Sequence, residues 1–162
     1  MNKYVCDYRN LYIDFDKNNR TKFKSWDLYF SDKMLVRRVA NELIATYDTE
    51  KYVVLNSIYC CLLKNSGFDL KFITGVINSK LISFWFKNLF ALTDKLFPYI
   101  RKSQLEFIPI PNITLEQQQS IISLVEKILQ NPSRKSDLEK EIDKEVYKLY
   151  SLTKEDIEII ES

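Results

Sequence analysis

Apolar and polar residues alternate with a period of two in the first part of the chain, and the period becomes helical near Asp69. Residues 1 to 65 therefore read mainly as strands. Leu11, Ile13 and Phe15 alternate with Tyr12 and Asp14, which puts successive side chains on opposite faces. Further strands are predicted over Met34 to Ala40, Leu43 to Tyr47, Tyr52 to Leu55 and Ile58 to Leu63, all rich in Val, Ile, Leu and Tyr. The polar turns between them are short, which favours antiparallel neighbours. Arg37 and Arg38 are consecutive, so they are expected on opposite faces, one of them at the core rim or against an acidic partner.

From Asp69 a helical stripe of Leu70, Ile73, Val76 and Ile77 begins, with Asp69 as N-cap and Gly75 inside it. Asn78-Ser79 predicts a break and a new cap, followed by a second apolar helix through Leu81, Ile82, Trp85, Phe86 and Leu89. This pair is the expected partner of the sheet, with Trp85 and Phe86 in the core. Thr93 to Ser103 reads as a polar, basic loop around Phe97-Pro98, leading into a short strand near Phe107 to Ile110. Pro109 and Pro111 cannot donate to a ladder and confine that strand to an edge. Thr114 and Gln117 form a capping box ahead of the stripe Ile121, Ile122, Val125, Ile128 and Leu129, which Asn131-Pro132 ends. A second box, Ser136 with Glu139, precedes Leu138, Ile142, Val146 and Leu149, and Thr153 opens a last short helix.

The fold class expected is α+β: a small mixed or antiparallel sheet packed on helices, followed by C-terminal antiparallel helices. Residues 1–112 are read as an α/β core and residues 113–162 as a helical segment, the two forming one compact unit. No internal repeat of fixed period is present.

Composition supports a folded chain. Of the 162 residues 46% are hydrophobic and 28% charged, which excludes a disordered class. The net charge of +2 names no partner, but its distribution is uneven. Between Lys17 and Arg38 seven basic residues stand against Asp27 and Asp32, whereas from Asp137 onward nine carboxylates face four lysines. A basic end suits a polyanion and leaves the acidic end for solvent or protein contacts. Three cysteines, two of them adjacent, make no disulfide framework and suit a reducing cytoplasm. The apolar stretch from Leu81 to Leu92 is interrupted by Ser83, Lys87 and Asn88 and falls short of the ~20 residues of a spanning helix. No apolar signal region follows Met1, so a cytoplasmic protein without membrane association is expected.

Several chemistries are excluded by what is missing. There is no histidine, which removes Ser-His and Cys-His hydrolases, and with no Cys-x-x-Cys pair a tetrahedral zinc site cannot be assembled. Gly67 and Gly75 are the only glycines, too few for a phosphate loop or dinucleotide fingerprint. The Asn/Asp-Pro-Pro-aromatic motif of amino-methyltransferases is absent, and Asn131-Pro132-Ser133-Arg134 departs from it at the third and fourth positions. The clustered acids fall on solvated helices, which argues against a metal-dependent nuclease.

Four strings, in order, carry a resemblance. They are KMLVRRVANELIATYDTEKYVVLNSIY, DLKFITGVINSKLISFWFK, FPYIRKSQLEFIPIPNITLEQQQSIISLVEKIL and IDKEVYKLYSLTKEDIEIIE. From about Lys33 onward, over roughly three quarters of the chain, the sequence resembles the TaqI-like C-terminal specificity domain of type IIG restriction-modification enzymes and adenine methyltransferases. KSQLEFIPIPNITLEQQQ is also similar to the ends of target-recognition domains in type I specificity subunits. Residues 1 to 32 match less clearly.

The resemblance implies a non-catalytic module that binds double-stranded DNA and reads its sequence, while a separate methyltransferase domain or subunit flips and alkylates the adenine. It implies no cofactor in this chain, with S-adenosylmethionine and magnesium confined to the catalytic parts. The chain is then a fragment of a longer enzyme or a stand-alone subunit. Phosphates and base edges are bound by basic and polar side chains on loops. The candidates are Arg20, Lys22, Lys24, Lys33, Arg37 and Arg38 in one set, and Lys95, Tyr99, Arg101 and Lys102 in another. Trp26, in the basic stretch, either packs on the core or inserts at DNA. The competing reading is a protein-protein interaction module whose working surface is the acidic tail.

Overall fold

The computed structural model describes residues 1–6, 26–64, 67–90 and 98–162, without the side chains of Trp26 and Asp27. The strand expected at Leu11 to Phe15, and the candidates Arg20, Lys22, Lys24 and Lys95, lie outside the described residues, as does the role expected of the Trp26 side chain. The elements are α1 (Trp26–Phe30), β1 (Lys33–Arg37), β2 (Ala45–Asp48), β3 (Ile58–Cys61), α2 (Leu70–Asn78), α3 (Lys80–Leu89), α4 (Lys102–Glu106), α5 (Leu115–Gln130), α6 (Lys135–Leu149) and α7 (Lys154–Glu161). This is an α+β protein.

The sheet has the order β2-β1-β3 and is antiparallel throughout. Alternation along β1 sends Met34 and Val36 into the main core, while Lys33 and Leu35, equally buried, face the other side. The outer edge of β2 is closed by a side chain: Asn78 accepts from Ala45 N and donates to Ala45 O, both at 2.9 Å. One amide therefore continues the ladder from the end of α2.

The helix starts follow their local chemistry. The Asp69 carboxylate accepts from Lys71 N at 2.6 Å, and Ser79 Oγ accepts from Ile82 N at 3.3 Å where α3 departs. Thr114 and Gln117 satisfy each other's backbone N–H at the head of α5, and Thr153 with Asp156 does the same for α7. α6 differs from expectation. Its start is set by a 3-10 turn, Pro132–Arg134, capped by Asn131, so the helix begins at Lys135 and Ser136 does not cap it.

α2 packs on β1 and β2, whereas α3 turns away to lie against α6 and α7, so only the first helix of the expected pair backs the sheet. α2 also crosses α5 closely. A Cβ on Gly75 would come within 2.5 Å of Ile121 Cγ2 and 3.2 Å of Val125 Cγ2, which is why glycine stands in mid-helix. One core cluster joins the sheet (Val36), α2 (Val76), α5 (Ile121, Val125) and α6 (Ile142), crossing the boundary drawn at residue 112. Neither Tyr52 to Leu55 nor Phe107 to Ile110 forms a strand.

Candidate nucleic-acid interface

The ladder of β1 ends at Arg37, whose N–H reaches Ile44 O at 2.9 Å. Beyond it Arg38 N donates to Ser57 O at 2.8 Å, and Arg38 O accepts from Ile100 N at 2.9 Å. Val39 and Tyr99 form an isolated antiparallel bridge. The segment around Tyr99 is thus laid along the end of β1, some sixty residues away in sequence. Tyr59 fixes it from β3, donating its hydroxyl proton to Ile100 O at 3.0 Å.

These bonds bring together members of the two candidate sets. Arg38 is half-buried, its guanidinium 4.4 Å from the Tyr99 ring centroid and 5.3 Å from that of Tyr59. Its Nη1 donates to Asn56 O at 3.0 Å. Arg37 is exposed at the strand end, while Arg38 lies half-buried in the bend that follows. Arg38 meets the rim of the core as expected, but against two tyrosines and a carbonyl and not an acid.

After Ile100 the chain enters α4, where the sequence reading placed a loop. Arg101 N donates to Gln104 Oε1 at 2.7 Å, a short-range cap that starts this single turn. Arg101 and Lys102 are both exposed. Lys102 lies 3.1 Å from Glu106, an exposed pair one helical turn apart that water and salt weaken, so its ammonium is free to exchange partners. Phe107 closes α4 with 67% of its surface exposed, touching Phe90 at 6.5 Å between ring centroids. Tyr59, which no candidate set includes, also belongs to this junction. It is placed beside Arg38 by the pairing of β1 with β3, in which it lies opposite Val36, so no local signal in the sequence announces it.

Lys33 requires a correction. It is 0% exposed, its ammonium 2.6 Å from Asp48 Oδ2 and donating to Tyr29 O at 2.8 Å. The Asp48 carboxylate also accepts from Glu50 N and Tyr52 N, each at 3.0 Å. A lysine enclosed in this way has no approach to a phosphate and is removed from the candidate set.

Other features bear on chemistry. Cys60 and Cys61 are free thiols, and burial, reinforced by Cys60, pushes Cys61 up to about 11. Among the described residues no group of three or more His, Cys, Asp and Glu side chains gathers to hold a metal, and no helix is long and apolar enough to cross a membrane. An apolar groove of about 630 Å³ lies elsewhere, between α3 and α7.

The family model of the TaqI-like C-terminal specificity domain matches residues 1–110. The match takes in residues 1 to 32, where the strings carried little resemblance, and stops before α5, so the α6–α7 string lies beyond it. A search of the curated proteins returns no match.

Proposed function

Because the chain belongs to the TaqI-like C-terminal specificity domain family, we propose that it is the DNA-binding target-recognition module of a restriction-modification enzyme. It positions a duplex for an adenine methyltransferase or endonuclease carried by another domain or subunit, which supplies S-adenosylmethionine, magnesium and all of the chemistry. The observation that carries this reading is the Arg38–Ile100 hydrogen bond with the adjoining Val39–Tyr99 bridge. Through it, basic segments distant in sequence meet at the end of the central strand β1. Arg37, Arg101 and Lys102 are exposed there as phosphate-contacting cations, with Tyr99 among them as a donor or stacking surface. Arg20, Lys22, Lys24 and Lys95 complete the candidate set from outside the described residues.

The test is selection from a pool of duplexes with randomised interiors, followed by binding titrations on the enriched sequence. A defined site should emerge, and the double variant Arg101→Ala, Lys102→Ala should weaken binding on every sequence, since phosphate contacts carry no sequence information. Failure of the chain to retain any duplex would overturn the proposal. Co-purification with a methyltransferase in that case would favour the interaction-module alternative.

A further inference from the structure

We infer that Arg38 is a positioning residue and not itself a DNA contact: it clamps the segment 98–102 to the sheet so that Tyr99, Arg101 and Lys102 act as one unit. The inference rests on the DNA-binding reading for its consequence, but its geometry stands alone. The guanidinium lies against the rings of Tyr59 and Tyr99 and binds the carbonyl of Asn56. The same residue's backbone joins Ser57 on one side and Ile100 on the other. Four pieces of chain meet there: the end of β1, the turn before β3, β3 itself and the approach to α4. A planar cation that stacks and donates in plane suits this junction, and it is more weakly hydrated than an ammonium, so half-burial costs it less.

Three observations separate clamping from contact. Nε is enclosed and has no hydrogen-bond partner, so that edge of the fork cannot reach a ligand. Among the described residues no carboxylate pairs with Arg38, so the π faces and the Asn56 carbonyl hold the charge in place of a counterion. Arg38 is also recessed while Arg37, Arg101 and Lys102 are exposed.

The decisive variant is Arg38→Lys, which keeps the charge and loses the plane. Two readouts are needed. In the free protein, amide hydrogen exchange at Ile100 and Arg101, whose N–H groups are bonded to Arg38 O and Gln104 Oε1, should accelerate at least tenfold while α5 is unchanged; equal protection would overturn the clamp whether or not the chain binds DNA. In titrations of a fluorescent duplex over a range of salt, Arg38→Lys should lower affinity about tenfold. It should also flatten the log K against log salt slope by about two, the share of Arg101 and Lys102 at ~0.9 per contact, although no charge has been removed. Adding Arg101→Ala to Arg38→Lys should then cost little more. An unchanged slope, or additive losses, would make Arg38 an independent contact and overturn the inference. Tyr59→Phe, which removes only the hydroxyl bond to Ile100, is the milder second variant and should shift both readouts in the same direction. Absence of duplex binding by the unsubstituted protein would defeat the functional reading, while the exchange experiment would still decide the clamp.

Discussion

Replacing Lys33 by methionine distinguishes interior from surface chemistry at a position where sequence reasoning and structure part. The ammonium is enclosed between Asp48 and the Tyr29 carbonyl, and the Asp48 side chain is 1% exposed. Lys33→Met keeps the length of the side chain but leaves that carboxylate with the N–H groups of Glu50 and Tyr52 and no cation. Removing one partner of a buried ion pair costs about 3–5 kcal/mol, because the remaining charge is neither solvated nor neutralised. With a urea m-value of about 2 kcal/mol/M, the unfolding midpoint should fall by roughly 2 M. Neutralising both in Lys33→Met, Asp48→Asn should cost less than the sum of the single changes, since the asparagine oxygen can still accept from the turn and no charge is stranded. The assay is urea unfolding followed by circular dichroism, with duplex titrations on the folded variants. An unchanged midpoint, together with weaker DNA binding and a flatter salt slope, would show that Lys33 works at the surface and refute the reasoning.

Three further outcomes follow from single positions. Gly75→Ala should destabilise the protein by about 1–3 kcal/mol in the same urea assay, because its Cβ meets Ile121 at 2.5 Å across a packed crossing; a neutral result would mean that α2 and α5 separate easily. Ser151→Gly should stabilise by about 1 kcal/mol: Ser151 has a φ of 53° in a helix-ending turn closed by Leu152 N to Tyr147 O and Ser151 N to Lys148 O, where a Cβ is unfavourable. Cys61, pushed up to about 11 from an ordinary 9.0, exposes about a hundredth of the usual thiolate at pH 8. In a Cys6→Ser, Cys60→Ser background, which keeps the burial and removes only the smaller contribution of Cys60, its native reaction with a disulfide reagent should therefore be slower than that of the urea-unfolded chain. The sign also fixes a pH effect: a thiol raised by folding contributes stability that is intact below pH 9 and declines as pH rises toward 11.

Local chemistry carried most of the helical reading. Asp69, Ser79, Thr114 and Thr153 each cap a helix through atoms two or three residues away, so those starts were visible in the sequence. Ser136 failed because a competing local signal won: Asn131 with Pro132 had already nucleated a turn that runs into α6. α4 is five residues long, with no apolar period to announce it. Tyr52 to Leu55 lost its strand because Asp48 captures the Tyr52 N–H and Lys51 sits at a φ of 59°, which breaks an extended run. The candidate site was legible in its membership more than in its arrangement. A lysine reads as surface charge unless its partner is known, and the partner of Lys33 is fixed only by strand register, fifteen residues away. The meeting of Arg38 with Tyr99 likewise depends on long-range backbone pairing, which no local pattern encodes.

The salt dependence of duplex binding by the unsubstituted chain tests the central claim most directly, because counterion release counts the phosphates that cations occupy. The exposed cations Arg37, Arg101 and Lys102, at ~0.9 each, give an expected slope of log K against log salt of about −3, steepening toward about −6 if Arg20, Lys22, Lys24 and Lys95 also reach phosphates, with affinity lost steeply between 50 and 200 mM salt. A slope near zero, or no binding to any duplex at ~100 μM protein, where even non-specific complexes form, would contradict the account.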